Sequence, residues 1–375
     1  MENCRDARTA VIVGAGVAGL AAAIALAREG WQVEIAEAGP PEAASGWGLC
    51  LTGPSLRALD ELGLADACLA EGYGMSTITR VDVRGEPVDE VRLPRLIGAR
   101  RPAMAGIARP ALYRVLRAEA ERRGVVIRHQ VTVTAVDPER EPVRVRLSDG
   151  TVRHAALLVG ADGIRSSTRG LLGLETSPGC HGQMVWRALV PRPPWATGIH
   201  EFAGKAGTAG LVPLSDGQAY VFLTENGAER SVLPDAELAP RLRRLLAPFP
   251  DRVEELRALV STSESVVRRP VLTMLVAGAW NRGNSVLIGD AAHAPAPQTA
   301  GGAALAVEDG LVLARELGRH ESVGAALRAF AGRRARRCRT LVETSVAIVR
   351  LERARRHHAA YPLVDSCHRL MAEPA

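Results

Sequence analysis

Aromatic side chains are scarce in this sequence: 375 residues hold 5 Trp, 4 Tyr and 4 Phe. The core must therefore be mainly aliphatic, and any aromatic ring beside a pocket stands out. Lysine is scarcer still, since Lys205 is the only lysine among 47 basic residues. An arginine excess this lopsided, interleaved with 41 acids, reads as the imprint of a GC-rich genome. It does not read as a nucleic-acid-binding surface, although the net charge is +6.

Cysteine is sparse and poorly placed for metal or disulfide chemistry. Cys4, Cys50, Cys68, Cys180, Cys338 and Cys367 form no CxxC pair and no His/Cys set of ligand spacing. That points away from a metal site and toward a reducing, cytoplasmic compartment. One long uncharged run exists, Ala10 to Ala27, following Arg5 and Arg8. It opens with Val11-Ile12-Val13, carries three glycines and continues into an amphipathic strand. It therefore reads as a strand, turn and helix, with neither a signal peptide nor a membrane span expected. With 47% hydrophobic and 23% charged residues, the chain has material for one large or two interleaved globular domains.

The pattern from Ala10 to Val13 predicts a buried strand, Gly14 to Gly19 a tight turn, Leu20 to Glu29 a helix and Gln32 to Glu37 a second strand. Helices are expected over Pro54 to Leu62 and Ala108 to Arg123, with strand-like runs at Ser76 to Val83 and Val88 to Leu93. Val125 to His129, Val143 to Leu147 and Leu157 to Val159 read as strands returning to the first sheet. From Gly179 to about Pro270, alternating runs separated by Pro/Gly turns predict a mainly antiparallel sheet inserted into the first domain. Ser285 to Ile288 is one more buried strand, and a long helix starts near Gly302. The expected division is a discontinuous nucleotide-binding domain over 1–75, 100–178 and 270–320, a β-sheet domain over 76–99 and 179–269, and C-terminal helices over 321–375. The arginine-rich runs Arg333 to Arg339 and Arg350 to Arg356 read as solvated helix faces.

Chemistry enters at Gly14-Ala15-Gly16-Val17-Ala18-Gly19. Glycine at 14 permits a sharp exit from the strand, and glycine at 16 lets a pyrophosphate approach the backbone. Glycine at 19 lets helix and strand pack closely, while the helix N-terminus offers unpaired N–H groups to the anion. Glu37, at the end of the second strand, is placed to accept from an adenosine ribose. The ligand is an adenine dinucleotide, either NAD(P) or FAD.

Two later segments decide between them. Leu158-Val-Gly-Ala-Asp162-Gly163, running on to Arg169, puts an acid and a glycine just after a buried strand. Val286-Leu-Ile-Gly289-Asp290-Ala-Ala-His293, running on through Pro297, Gly301 and Gly302 to Glu308-Asp309, repeats the device with a helix behind it. With Arg109 opening its helix, these motifs resemble the FAD-dependent class A aromatic monooxygenases, the para-hydroxybenzoate hydroxylase family, over about residues 9 to 340. The resemblance implies an α/β fold: a Rossmann-like FAD-binding domain, an inserted mainly antiparallel substrate sheet and a C-terminal helical segment. It implies FAD as cofactor, NAD(P)H as co-substrate and dioxygen as oxidant, with oxygen delivered by a C4a-peroxyflavin to a small phenol-like or heteroaromatic substrate. FAD contacts are then expected from Gly14, Gly16, Val17, Ala18, Gly19, Glu37, Ala38, Gly48, Arg109, Val133, Asp162, Gly163, Asp290, Pro297, Gly301 and Gly302. His293 is expected to be structural. No nucleic-acid or membrane partner is implied, and the assembly is expected to be a monomer or homodimer.

The sequence departs from the family pattern at two places. The usual Gly-Gln-Gly followed by Asn reads Ala300-Gly301-Gly302 and then Ala303-Ala304, and Gly53-Pro54-Ser55 lacks the customary Asn. Backbone groups are therefore expected to carry more of the flavin contacts. The halogenase branch is disfavoured, because Trp-x-Trp is missing and Lys205 lies in a Gly/Ala loop. Leu211 to Phe222 resembles the substrate strands of urate- and salicylate-hydroxylase-like members, with Tyr220 on the position whose phenol faces substrate. Tyr220 is accordingly the candidate for substrate contact or deprotonation, and Phe222, Trp47, Cys50 and Pro297 are candidate pocket residues. Urate itself is disfavoured, since no arginine lies between Ala203 and Val212. The rival readings are a non-hydroxylating FAD oxidoreductase of the same fold and a nucleotide-binding protein without catalysis.

Overall fold

The computed structural model describes residues 8–41, 47–205, 207–227, 233–249 and 251–375, so Cys4 and Gly46 fall outside it. Among these residues the first layer is a six-stranded sheet. Its order is Asn281–Arg282, Ser285–Leu287, Leu157–Gly160, Thr9–Val13, Gln32–Glu37, Val126–His129. All neighbours run parallel except the short hairpin at Asn281–Arg282. Val11, Ile12, Leu157, Leu158, Val159, Val286 and Leu287 are buried whichever way they point along their strands, as expected of a parallel sheet covered on both faces. The helices Val17–Arg28 and Gly302–Arg319 pack together so tightly that a Cβ on Gly310 would lie 2.7 Å from the Ala22 nitrogen.

The second layer is an eight-stranded sheet in the order His293–Ala294, Val266–Leu275, Gly179–Pro191, Gln218–Asn226, Thr208–Pro213, Ile199–Ala203, Thr77–Val81, Pro87–Arg92. It is antiparallel except where Ile199–Ala203 meets Thr77–Val81. The two-residue period of the strand Gln218–Asn226 divides its side chains. Ala219, Val221 and Leu223 join a core with Trp186, Leu242, Leu246 and Phe249, while Tyr220 packs with Cys50, Val212 and Ile199 on the opposite face. That second face looks toward the nucleotide-binding part of the chain, because a Cβ on Gly48 would lie 3.0 Å from Cδ1 of Tyr220.

Three expectations are corrected. The strand Val143–Leu147 does not join the parallel sheet; it pairs antiparallel with Val133–Asp137 and Val152–Ala155 in a small separate sheet. Its buried Val143, Val145 and Leu147 alternate with the more exposed Arg144 and Arg146, a pattern suited to a sheet that is wet on one face. The inserted region also holds the helices Leu238–Leu246 and Asp251–Leu259, since Leu238, Leu242 and Leu246 follow helical spacing. Finally, the arginine run in the helix Val323–Arg353 is not wholly solvated, because Arg334 and Arg337 are buried among carboxylates. Among the described residues no helix is long and apolar enough to cross a membrane.

Candidate active site

Parallel register brings the separated motifs together. Val13 pairs with both Gly160 and Ala36, and Gly160 pairs with Leu287. Gly14, Asp162, Asp290 and Glu37 therefore all follow or end strands at one carboxyl edge, where open α/β sheets receive ligands. The three glycines differ in what surrounds them. Gly14 has φ of +97°, and a Cβ there would lie 2.7 Å from the Ala161 carbonyl oxygen. On Gly19 a Cβ would meet the Gly14 carbonyl oxygen at 1.9 Å, whereas on Gly16 it would meet nothing within 4 Å. Gly16 thus opens onto free space at the start of a helix with no acidic residue in its first turn and no side-chain cap, and its N–H groups remain available to an anion.

Glu37 accepts hydrogen bonds from the backbone N–H groups of Ala15 at 2.6 Å and Gly39 at 2.7 Å. It ties the glycine turn to the end of its strand while keeping lone pairs free. Gly16, Val17, Glu37, Arg109 and Tyr113 line a cavity of about 210 Å³ here. Ala38 is exposed beside it, Ala18 is buried in the helix, and Val133 lies in the core. A buried Ala18, a flat Gly16 and a carboxylate at the strand end are what an adenine dinucleotide requires, so the residues fit such a group.

Beyond the turn, the carboxylate of Asp162 accepts from the hydroxyls of Ser166, Ser167 and Thr168 and from the Thr168 N–H. Ser166 caps the short helix Ser167–Leu171 by accepting from the Arg169 N–H, and Asp162 braces the loop that leads into it, with Gly163 at φ +79° next to it. Arg169 then joins this loop to the next, donating to the carbonyls of Ile164 and Ala291, both at 3.0 Å. Asp290 is exposed by area yet surrounded by many protein atoms, and loss of solvation raises its carboxyl above the usual range against the pull of His293 and Arg109. Arg109 in turn has its pKa lowered by burial and by Arg187, with Asp290 opposing.

Behind Asp290 lies a buried charge network. Asp309 accepts from the Gly289 N–H at 2.8 Å, sits 2.7 Å from Nε2 of His293 and pairs with Arg334 Nε at 2.7 Å. Arg334 and Arg337 both hold Glu308. Burial opposes the charged forms of both His293 and Asp309, but Cys338 and Asp309 outweigh it for His293, which is pushed up to about 10. The cations His293 and Arg334 hold Asp309 down at about 2. His293, Asp309 and Cys338 place ligand-type atoms within 4.8 Å of one another, yet Asp309 is already committed to three donors. His293 is thereby linked, through the carboxylate of Asp309, to the N–H of Gly289 in the Gly289–Asp290 turn.

The loop before the helix Gly302–Arg319 shows what the departures from the family pattern do. Ala300 adopts a left-handed conformation, φ 47°, at the place where the pattern has glycine. A Cβ on Gly301 would lie 2.6 Å from a Leu341 methyl, so the usual glutamine cannot be accommodated without moving Leu341. Gly302 begins the helix, whose first turn carries neither an acid nor a side-chain cap.

A second cavity, about 120 Å³, lies against the inner face of the antiparallel sheet and is lined by Tyr220, Phe222, Cys50, Pro297 and Arg187, among others. Trp47 is not part of its lining; it precedes the strand Gly48–Leu51, and its carbonyl accepts from the Arg109 N–H. Pro297, Arg187 and Val185 are shared with an open cleft of about 460 Å³ that also includes Asp162 and Arg165. The Tyr220 ring lies 5.8 Å from the Arg187 guanidinium and 6.4 Å from the Phe222 ring. Burial pushes the Tyr220 phenol up to about 12, against the attraction of Arg187. It is therefore a neutral hydrogen-bond donor near neutral pH. Sequence reasoning missed Arg187, Glu201 and the C-terminal helix His357–Ala372, all of which reach this cavity. Arg187 follows Trp186 on a strand where alternation puts it opposite the core, a signal the sequence did carry.

This is a dinucleotide-binding α/β protein with a second cavity beside the cleft. The chain belongs to the FAD binding domain family, which matches it over residues 7–345, and it is an FAD-dependent monooxygenase. It is 31% identical to aurachin C monooxygenase/isomerase of Stigmatella aurantiaca, with 91% of this chain and 88% of that one covered. It is also 31% identical to 2-heptyl-3-hydroxy-4(1H)-quinolone synthase of Pseudomonas aeruginosa, covering 82% and 80%. The fold is similar to that of 2-methyl-3-hydroxypyridine-5-carboxylic acid oxygenase, with a TM-score of 0.82, 24% identity and coverage of 97% and 96%.

Proposed function

We propose that the chain hydroxylates a small phenol-like or heteroaromatic molecule, using NAD(P)H and dioxygen as co-substrates, in the cytoplasm and as a monomer or homodimer. The observation that supports this reading is that the cleft beside Asp162 and the cavity lined by Tyr220 adjoin, sharing Val185, Arg187 and Pro297 in their linings. Bound FAD supplies the redox chemistry that takes electrons from the pyridine nucleotide and activates dioxygen.

The chain's own residues bind, orient and enclose. The N–H groups at the helix start beside Gly16 would hold the pyrophosphate of FAD, Glu37 would accept from its adenosine ribose, and Arg109 and Asp290 would offer it charged contacts. The turn at Ala300-Gly301-Gly302 would offer the flavin backbone N–H groups in place of side chains. Asp162 and Gly163 shape the cleft wall, and Gly48 admits the Tyr220 ring by lacking a Cβ. Tyr220 donates a hydrogen bond to the substrate, and Arg187 faces its electron-rich edge. The apolar walls Val185, Val212 and Phe222 exclude water. By its name the quinolone synthase makes, and the pyridine oxygenase acts on, a nitrogen heteroaromatic carrying oxygen, which supports the same class here.

The test is a screen of phenols and oxo-heteroaromatics for stimulation of NAD(P)H oxidation, with the product analysed by mass. A product heavier by one oxygen, formed only with dioxygen present, is expected. NAD(P)H oxidation that no aromatic compound stimulates, or that proceeds equally without dioxygen, would refute the proposal.

A further inference from the structure

One wall of the Tyr220 cavity comes from a part of the chain that the family match does not reach. His357, Ala360, Tyr361 and Val364 line it, all from the helix His357–Ala372. Their spacing puts them on one helix face, and the family match ends at residue 345.

Most polar groups at this wall are already satisfied. Glu352 accepts from Gln183 Nε2 at 3.2 Å, Gln298 Nε2 at 3.0 Å and the Thr208 hydroxyl at 3.4 Å. Two polar atoms are not. His357 is 7% exposed, and its Nε2 has no hydrogen-bond partner. Gln298 Oε1, lining the same cavity, also has none.

Burial lowers the pKa of the His357 ring, with the Gly204 backbone opposing, so the imidazole is neutral and one of its two nitrogens carries a lone pair. Buried acceptors without partners are rare in folded proteins, and a ligand's donors are their natural complement.

We propose that His357 is a substrate-binding residue whose Nε2, together with Gln298 Oε1, accepts hydrogen bonds from hydroxyl or ring N–H groups of the aromatic substrate. The site thereby selects rings that carry such donors over their O- or N-methylated counterparts. This rests on the reading of the cavity as the substrate site.

Paired probes test it. 4(1H)-Quinolone and 1-methyl-4-quinolone, and 2-naphthol and 2-methoxynaphthalene, are titrated into the FAD-loaded protein while the flavin absorbance is followed. Wild type is expected to bind the donor-bearing member of a pair about tenfold more tightly or better. His357→Phe should bring that ratio to about one with FAD content unchanged, and His357→Gln, which keeps an acceptor, should restore part of it. The ¹⁵N spectrum of histidine-labelled wild type should show Nδ1 protonated and Nε2 bare. Equal binding of both members by wild type, an unchanged ratio in His357→Phe, or a protonated Nε2 would overturn the inference while leaving the hydroxylase reading standing. If no probe perturbs the flavin of wild type, the cavity is not the substrate site and the inference falls with that reading. Should His357→Phe fail to fold, the glutamine variant and the wild-type spectrum still decide.

Discussion

Gly16 and Gly19 lie three residues apart in one motif, yet the structure predicts opposite consequences for replacing them. At Gly19 a Cβ would lie 1.9 Å from a backbone oxygen of Gly14. Neither partner is the end of a flexible side chain, so the helix and strand must separate. Gly19→Ala should therefore destabilise the protein even without cofactor, by about 3 kcal/mol or more, the upper end of overpacking costs. At Gly16, φ is −72°, a value any residue adopts, and a Cβ meets no atom within 4 Å. Gly16→Val should change the stability of the cofactor-free protein by only about 1 kcal/mol or less, since the strain is absent and the site opens on free space. That free space is where the pyrophosphate must lie, so FAD affinity should fall by about a hundredfold or more, corresponding to about 2.7 kcal/mol. Thermal unfolding of the apoproteins and FAD titration by flavin fluorescence separate the two effects. A Gly16→Val protein that purifies with full FAD, or whose apoprotein melts as low as Gly19→Ala, would refute the reasoning.

Glu37→Ala should weaken FAD by about 1.5–3 kcal/mol, the worth of a hydrogen bond to a charged group, and an unchanged dissociation constant would contradict its placement at the ribose. The pair formed by His293, raised to about 10, and Asp309, lowered to about 2, predicts a pH dependence of stability. The His293 contribution is complete below its ordinary pKa of 6.5 and is lost as pH rises through about 10. The Asp309 contribution is complete above 3.8 and is lost as pH falls through about 2. Melting temperature should accordingly decline from pH 6.5 toward pH 10 in wild type and decline less in His293→Gln; parallel curves would refute the pairing. Tyr220→Phe should leave FAD binding intact and divert more NAD(P)H to hydrogen peroxide. With its phenol near 12, the substitution should remove no ionisation from the pH profile of kcat/KM between about pH 6 and 9.

The nucleotide-binding edge was largely legible because its determinants are local. A β-branched run, glycines at 14, 16 and 19 and an acid at 37 specify strand, turn, helix and strand through backbone sterics and short-range hydrogen bonding. The long helix beginning at Gly302 was visible for the same reason. The strand Val143–Leu147 was recognised as a strand but assigned to the wrong sheet. Alternation tells which residues face a core, and only pairing tells which partner supplies it.

The charge network was illegible in a different way. Arg334 looks like any member of a basic helical run until Glu308 and Asp309, carried by another helix, are placed against it. The sequence by itself determined the class of cofactor, the βαβ opening and the alternation that aims Tyr220 inward, since each follows from the conformational preferences of a few neighbouring residues. Only the tertiary structure decided that Arg187, Gln298 and His357 share one cavity with Tyr220, because their meeting depends on sheet register and on where the last helix docks, and neither is encoded within any short stretch of chain.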